Sequence, residues 1–183
     1  MTSAIVPGAA YGRRIGRPSD TLVVGLGNPI LGDDGVGWRV IDELDEIDHD
    51  EASLQQAHVG GVSLMELVAG YRRVIIVDAI VDPEDEPGTV WCKPLSAVEV
   101  GVVSHLDSTR DAPLPAAIEA SRATGADMPS DIDVVGIVID SDDTFGEDMS
   151  DVVAAAVPVA AAEVAGALRR QRPSSPRGEP IHA

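Results

Sequence analysis

The sequence predicts an α/β fold in which a mostly parallel sheet of about five strands is covered by helices on both faces, a three-layer α/β/α arrangement. Short strands rich in Val and Ile alternate with segments of helical periodicity, and this order favours parallel strands joined by helical crossovers. Hydrophobic residues make up 44% of the chain but aromatic residues only 3%. The core must therefore be built from Val, Ile, Leu and Ala.

The chain has 183 residues, and its two ends differ from the rest. Residues 1–20 and 172–183 have no apolar period and are rich in Gly, Pro, Ser and Arg. Segments of this composition bury too little apolar surface to fold. We therefore predict two disordered tails around a single α/β domain that spans residues 21–171.

The first predicted unit is a strand, a loop and a helix. Thr21–Leu26 is a β-rich run closed by a Gly-Asn-Pro turn. A helix is predicted from Val36 onward, because apolar residues recur there at the spacing of one helical face, and Asp33-Asp34-Gly35 offers its N-cap. A weaker strand is predicted over Ser53–Val59, followed by a short helix capped by Ser63.

The most apolar strand in the chain is Val74–Val77, which ends at Asp78. Because such a strand is buried on both faces, it should be central and parallel. The remaining predicted elements are a strand at Thr89–Lys93, a helix at Leu114–Arg122, a strand at Val134–Ile139 and a helix at Ser150–Arg170.

Charge and cysteine content exclude several classes of protein. The formal net charge of -18 argues against a surface that binds nucleic acid. The single cysteine, Cys92, cannot form an intramolecular disulfide, and we find no apolar run long enough for a membrane span or a signal sequence. We therefore expect a cytoplasmic monomer with no membrane or nucleic-acid partner.

Three side chains are candidates for a functional site. Ligands bind at the carboxyl ends of parallel strands, and both Asp78 and the Gly27–Asp34 loop reach such an end. Of the adjacent Asp33 and Asp34, one can cap the helix while the other faces the strand ends. His105 is the best imidazole by elimination, since the other histidines lie in a tail, an acidic loop and a strand end. Two carboxylates and an imidazole form an incomplete shell for nickel or zinc.

Each candidate also has a simpler interpretation, and other motifs fail on inspection. Asp78 could serve only a turn, and His105 could be an ordinary surface or core residue. Gly25 to Ile30 resembles the start of a dinucleotide-binding loop, but Ile30 replaces the third glycine. Asp140 to Phe145 begins like a calcium loop, yet Phe145 stands where the sharp-turn glycine belongs. Cys92 is expected to be a small buried hydrophobe.

Beyond these patterns, the stretch Val-Gly-Leu-Gly-Asn-Pro-Ile-Leu-Gly-Asp-Asp-Gly-Val-Gly37, taken with Val-Asp78-Ala, resembles the hydrogenase maturation proteases. Gly60-Gly-Val-Ser-Leu-Met-Glu-Leu and Gly146-Glu-Asp-Met-Ser fit as well, so the likeness covers residues 21–170. The resemblance implies a three-layer α/β/α endopeptidase. Such an enzyme trims a short C-terminal extension from the precursor of a nickel-iron hydrogenase large subunit after nickel insertion.

The resemblance also implies roles for individual residues. The metal-contacting residues of the family fall on Asp34, Asp78 and His105, and the nickel arrives with the substrate. We expect Asp34 and Asp78 to be catalytic, with the ion polarising the scissile carbonyl or a nearby water. No Ser or Cys nucleophile with an evident base is present, so an aspartic or metal-dependent route is favoured over an acyl-enzyme.

Two other functions stay open at this point. Peptidyl-tRNA hydrolases also begin with Val-Gly-Leu-Gly-Asn-Pro, but they need a His-Asn pair shortly afterwards, where this chain has Asp33-Asp34-Gly35. A non-catalytic module that binds nickel or an assembly factor is the alternative from another class.

Overall fold

The computed structural model describes the backbone of residues 11–15 and residues 19–46, 52–59, 61–98, 114–140 and 148–170. The strands are β1 (Tyr11–Ile15), β2 (Thr21–Leu26), β3 (Ser53–Ala57), β4 (Arg73–Ile80), β5 (Val90–Pro94) and β6 (Asp131–Val138). The helices are α1 (Val36–Asp45), α2 (Gly61–Val68), α3 (Leu114–Ala123) and α4 (Asp151–Arg169).

These strands form a six-stranded sheet in the order β1-β3-β2-β4-β6-β5. The four inner strands are parallel to one another, and the two outer strands, β1 and β5, run antiparallel to their neighbours. Strand β4 lies between β2 and β6 and is buried from Val74 to Ile80. The predicted α/β class, the mostly parallel sheet and the central position of β4 are confirmed.

Strand β1 lies inside the segment that was predicted to be a disordered tail. It pairs with β3, with Ile15 opposite Leu54 and Tyr11 opposite Ala57. This strand was missed because it is held by backbone hydrogen bonds to the outer edge of β3. Such bonds require no alternation of apolar residues in β1 itself. The predicted C-terminal tail lies outside the described residues.

Two local predictions were also wrong. Ser63 was expected to cap a helix, but α2 begins at Gly61, so Ser63 lies within its first turn. Asp78 was expected to follow a strand, but β4 continues to Ile80. The strand extends because β6 pairs with β4 along its whole length, including Asp78 opposite Gly136.

Two apolar layers cover the sheet. One face packs against α1 and α4 and includes Val23 and Ile75, and the other packs against α2 and α3 and includes Val24 and Ile76. Adjacent strand residues thus point to opposite layers, as the pleat requires. Each fully buried Val, Leu or Ile stabilises the fold by about 1.5–3 kcal/mol relative to exposure.

Helix α4 is long and apolar enough to cross a membrane by length and composition, although the sequence was expected to contain no such run. In the structure, however, Val153, Ala160 and Val164 of α4 are buried in the layer shared with α1 and the sheet. A helix with one face in the core of an α/β domain passes the same test of length and composition. Packing in the core therefore accounts for the apolar residues on the buried face of α4.

Arg73 fastens the end of α4 to the sheet. Its guanidinium donates to the carbonyl oxygen of Ala167 at 2.8 Å and to Oδ2 of Asp133 at 3.2 Å, and it lies 3.5 Å from Asp131. These contacts lie at the edge of the sheet where the parallel strands begin, which we call the amino edge. The edge where the parallel strands end is called the carboxyl edge.

Candidate active site

The loop between β2 and α1 carries Asp34 at the carboxyl edge. Its residues Gly32–Gly35 form a single 3-10 turn, and the backbone N–H of Asn28 donates to Oδ2 of Asp34 at 2.7 Å. The N–H of Asp34 in turn donates to the carbonyl oxygen of Leu31 at 3.1 Å. A charge-assisted bond of this length is strong, so the Asn28 N–H holds the Asp34 carboxylate in one orientation. Asp34 is buried there, with only 4% of the residue exposed.

Two glycines allow this loop to close tightly. Gly27 has φ +131°, and a Cβ on it would lie 1.9 Å from the carbonyl oxygen of Asp34. A Cβ on Gly37, in the first turn of α1, would lie 2.2 Å from the carbonyl oxygen of Leu26 and 2.7 Å from that of Val77. The start of α1 therefore sits directly on the ends of β2 and β4, next to Asp78.

Asp78 belongs to the central strand and is 0% exposed. It shares the sheet face of Val74, Ile76 and Ile80, because strand side chains alternate, and these residues pack in the layer of α2 and α3. On the other side of β4, pairing with β2 ends at Val77 opposite Gly25. Asp78 is thus the first residue of β4 beyond that pairing, where the β2–α1 loop leaves the sheet.

The structure brings the two predicted acids to the same edge of neighbouring parallel strands. The 3-10 turn that contains Asp34 contacts β4, the strand that contains Asp78. Buried carboxylates are costly unless something neutralises them, and a divalent cation or a shared proton does so. This pair of acids can therefore hold a cation, or activate a water and transfer its proton.

The third predicted residue, His105, lies outside the described residues. Within the described ranges, no three His, Cys, Asp or Glu side chains form a group that could hold a metal ion. The set Asp34, Asp78 and His105 therefore stays a prediction.

Asp33 has a role that sequence reasoning missed. With Asp34 expected to face the strand ends, Asp33 was the acid left to cap α1, but the N-cap position of α1 is Gly35. Instead Asp33 accepts from both groups of Ser150, from the backbone N–H at 2.7 Å and from Oγ at 2.8 Å. Ser150 is the N-cap of α4 and accepts from the N–H of Val153. Asp33 thus joins the loop of Asp34 to the start of α4.

No local signal predicts a bond across 117 residues. The pattern Ser-Asp-Val-Val marks Ser150 as a helix start, and the Gly-Asn-Pro turn marks Asn28 as a turn residue, but neither pattern indicates its partner. Sequence reasoning correctly assigned different directions to the two adjacent acids. The partner of Asp33 emerges only once β2 and β6 are both parallel to β4.

The other motifs have structural explanations. Gly25 lies in β2, and a Cβ there would lie 2.1 Å from the carbonyl oxygen of Gly37. The absence of a side chain at Gly25 therefore allows α1 to pack closely against β2. Burial, and next the nearby charge of Asp133, raise the pKa of the Cys92 thiol. A protonated, half-buried thiol on the outer strand β5 is a poor nucleophile.

Comparison with known proteins is consistent across sequence and structure. Residues 38–167 match a family model described as HycI, hydrogenase maturation protease. The chain is 29% identical over 165 residues to the hydrogenase 2 maturation protease of Escherichia coli, covering 88% of this chain and 98% of that protein. A partial match, 39% identical over 77 residues, links 40% of this chain to 49% of a putative hydrogenase maturation protease of Methanocaldococcus jannaschii.

Solved structures give the same result. The hydrogenase maturating endopeptidase HybD of Escherichia coli superposes with a TM-score of 0.64 at 27% identity, covering 81% of this chain and 91% of that one. The hydrogenase 2 maturation peptidase of a Thaumarchaeota archaeon superposes with a TM-score of 0.60 at 25% identity, covering 81% and 97%.

Proposed function

Because this chain belongs to the hydrogenase maturation protease family, we propose that it removes the C-terminal extension of a nickel-iron hydrogenase large-subunit precursor after nickel insertion. The observation that carries the proposal is the position of Asp34 and Asp78, two buried acids at the carboxyl edge, one in the turn that follows β2 and the other in the neighbouring strand β4. The family assigns the endopeptidase activity. Asp34 and Asp78 are the proposed site of this activity.

In this proposal nickel belongs to the substrate and marks a precursor that is ready for cleavage. Asp34 and Asp78, with His105 as the third ligand, contact the ion, since carboxylate and imidazole groups suit a borderline divalent metal. The bond from the Asn28 N–H occupies one face of Oδ2 of Asp34 and fixes the direction in which the remaining lone pairs point. A precursor without nickel would lack this contact between the ion and the acids.

Cleavage proceeds without a covalent enzyme intermediate. One carboxylate takes a proton from water as the water oxygen attacks the scissile carbonyl carbon, and the C–N bond then breaks as the proton passes to the departing amine. The bound ion polarises the carbonyl or the water. The raised pKa of the Cys92 thiol and its position on the outer strand β5 support this route over a cysteine nucleophile.

The protein is proposed to act in the cytoplasm as a monomer. A single cysteine with a raised pKa is compatible with a reducing compartment. Metal insertion into the precursor and its processing would then share one compartment.

The test is incubation of the purified protein with nickel-loaded and nickel-free large-subunit precursor from the same organism, read by intact mass. Loss of a C-terminal peptide from the loaded form alone is the expected result. Cleavage of both forms would refute nickel as the recognition mark. If the precursor is retained but never cut, the chain is a non-catalytic binding module.

A further inference from the structure

We infer that the carboxyl edge carries a docking surface for a basic protein surface, formed by three exposed apolar side chains among acidic residues. The apolar members are Ile30, Val81 and Val152, exposed by 54%, 38% and 49%. We call this surface the acidic rim. The inference rests on the proposed function, since the partner it names is the large-subunit precursor.

The three apolar residues lie on segments that contact one another. Ile30 belongs to the loop that Asp33 joins to Ser150, and Val152 follows Ser150 by two residues. Val152 also lies against the loop that begins at Val81, because a Cβ on Gly88 would come within 3.0 Å of its side chain. Exposed apolar side chains on adjoining segments form the kind of patch that mediates protein association.

Charge around this patch is mostly negative. The described segments 26–35, 78–89, 139–140 and 148–152, which lie next to the carboxyl ends of β2, β4 and β6, contain no Lys or Arg. Among their acidic residues, Glu84, Asp85 and Glu86 are exposed beside Val81, and Asp148 and Asp151 are exposed beside Val152.

The amino edge has a different balance. Six basic residues of the described ranges lie there, at the starts of strands, the ends of helices and the end of antiparallel β5: Arg72, Arg73, Lys93, Arg122, Arg169 and Arg170. Acidic residues accompany them, as in the pairing of Arg73 with Asp133. Arg39 is exposed near the start of α1, on the carboxyl side of the sheet, but acidic residues outnumber it among the described segments there, and such a field steers positively charged partners.

A free metal ion does not explain the exposed valines and isoleucine, and a nucleic acid would be repelled. The chemistry fits a protein surface on which Lys or Arg side chains surround an apolar centre. We place this surface on the precursor, close to the extension, because the acidic rim adjoins the two buried acids. Apolar contacts hold the complex, while the charges raise its association rate and its selectivity.

The experiment measures association rate and affinity for immobilised nickel-loaded precursor, testing each large subunit of the source organism. The rim variant Glu84→Gln/Asp85→Asn/Glu86→Gln is compared with Glu46→Gln/Glu66→Gln/Asp127→Asn, which neutralises three exposed acids away from the rim. We expect the rim variant to associate about tenfold more slowly at about 0.05 M salt, with the deficit shrinking at higher salt, and the control to change by less than about twofold.

A second pair isolates the apolar contribution. Val152 and Val159 lie on the same helix, seven residues apart, and are similarly exposed at 49% and 53%, but only Val152 belongs to the rim. We expect Val152→Ser to weaken binding about fivefold and Val159→Ser to leave it within about twofold. Melting temperatures confirm that each variant is folded.

The outcomes separate this inference from the proposed function. Equal effects of the rim and control substitutions would overturn the proposal that the acidic rim is a docking surface. The acidic residues of the rim would then serve only general surface solvation. Failure of the wild-type protein to bind any of the precursors would overturn it as well. Rim-dependent binding without cleavage would support the rim while contradicting the proposed protease activity.

Discussion

Buried acids at the two edges of the sheet have different surroundings. At the amino edge, Asp133 lies 3.2 Å from the guanidinium of Arg73, which supplies the opposite charge within the fold. At the carboxyl edge, the described segments 26–35 and 78–89, which contain Asp34 and Asp78, have no Lys or Arg. Asp133 is paired within the chain and serves stability, whereas we propose that Asp34 and Asp78 serve a cation that arrives with the substrate.

The largest expected effect is on the loop of the carboxyl edge. Gly27→Ala should lower the free energy of unfolding by about 4 kcal/mol, because the new Cβ meets the carbonyl oxygen of Asp34 and the backbone has φ +131°. Gly70→Ala is the matched control, since Gly70 has φ +83° but nothing within 4 Å, and it should cost only about 1 kcal/mol. Chemical denaturation measures both values. Equal losses would show that the loop is not tightly packed around Gly27.

The amino edge should respond in stability but not in activity. Arg73→Met removes the cation beside Asp133 and the bonds to the end of α4, and we expect a loss of about 3 kcal/mol in the free energy of unfolding. Processing per folded molecule should stay within about twofold of wild type when assayed well below the melting temperature. A large loss of processing by fully folded Arg73→Met would contradict the proposal that the amino edge serves stability and the carboxyl edge serves activity.

The bond between Asp33 and Ser150 should contribute less. Ser150→Ala removes a helix N-cap and one bond to Asp33, so the free energy of unfolding should fall by about 1 kcal/mol. Ser150→Thr, which keeps the hydroxyl, should recover most of this loss. If Ala and Thr variants are equally stable, the hydroxyl makes no contribution in solution.

The smallest expected effect concerns Cys92. Burial and the nearby Asp133 raise the pKa of its thiol, so less thiolate is present at neutral pH than in free cysteine. Alkylation by iodoacetamide should be slower than that of free cysteine, and its rate should still rise at pH values where the free thiol has levelled off. Protein unfolded in urea provides the control. Equally fast alkylation of the folded and unfolded chains would contradict the burial of Cys92.

The elements that could be predicted from sequence are those whose signals are local. Thr21–Leu26 was predicted with its observed bounds, because a buried parallel strand is an uninterrupted β-rich run. Strand β1 and the true end of β4 depend instead on pairing with β3 and β6, and pairing partners are not encoded in any short window of sequence.

The site shows the same division. The directions of Asp33 and Asp34 could be inferred from the geometry of a helix start, whereas the bond from Asp33 to Ser150 required the positions of β2, β6 and α4. Asp78 was selected because it closes the most apolar run in the chain, Val74–Val77. His105 had no comparable local signal, and its role rests on resemblance to the family.

The most direct test of the central claim is the processing of nickel-loaded precursor by Asp78→Asn, followed by intact mass beside wild type and the control Asp127→Asn. Asn keeps the size of the side chain but loses its negative charge. We expect Asp78→Asn to melt close to the wild-type temperature and to lose processing by at least about 10²-fold. The control Asp127→Asn should process like wild type. Processing by Asp78→Asn at the wild-type rate would contradict the assignment of this edge as the active site.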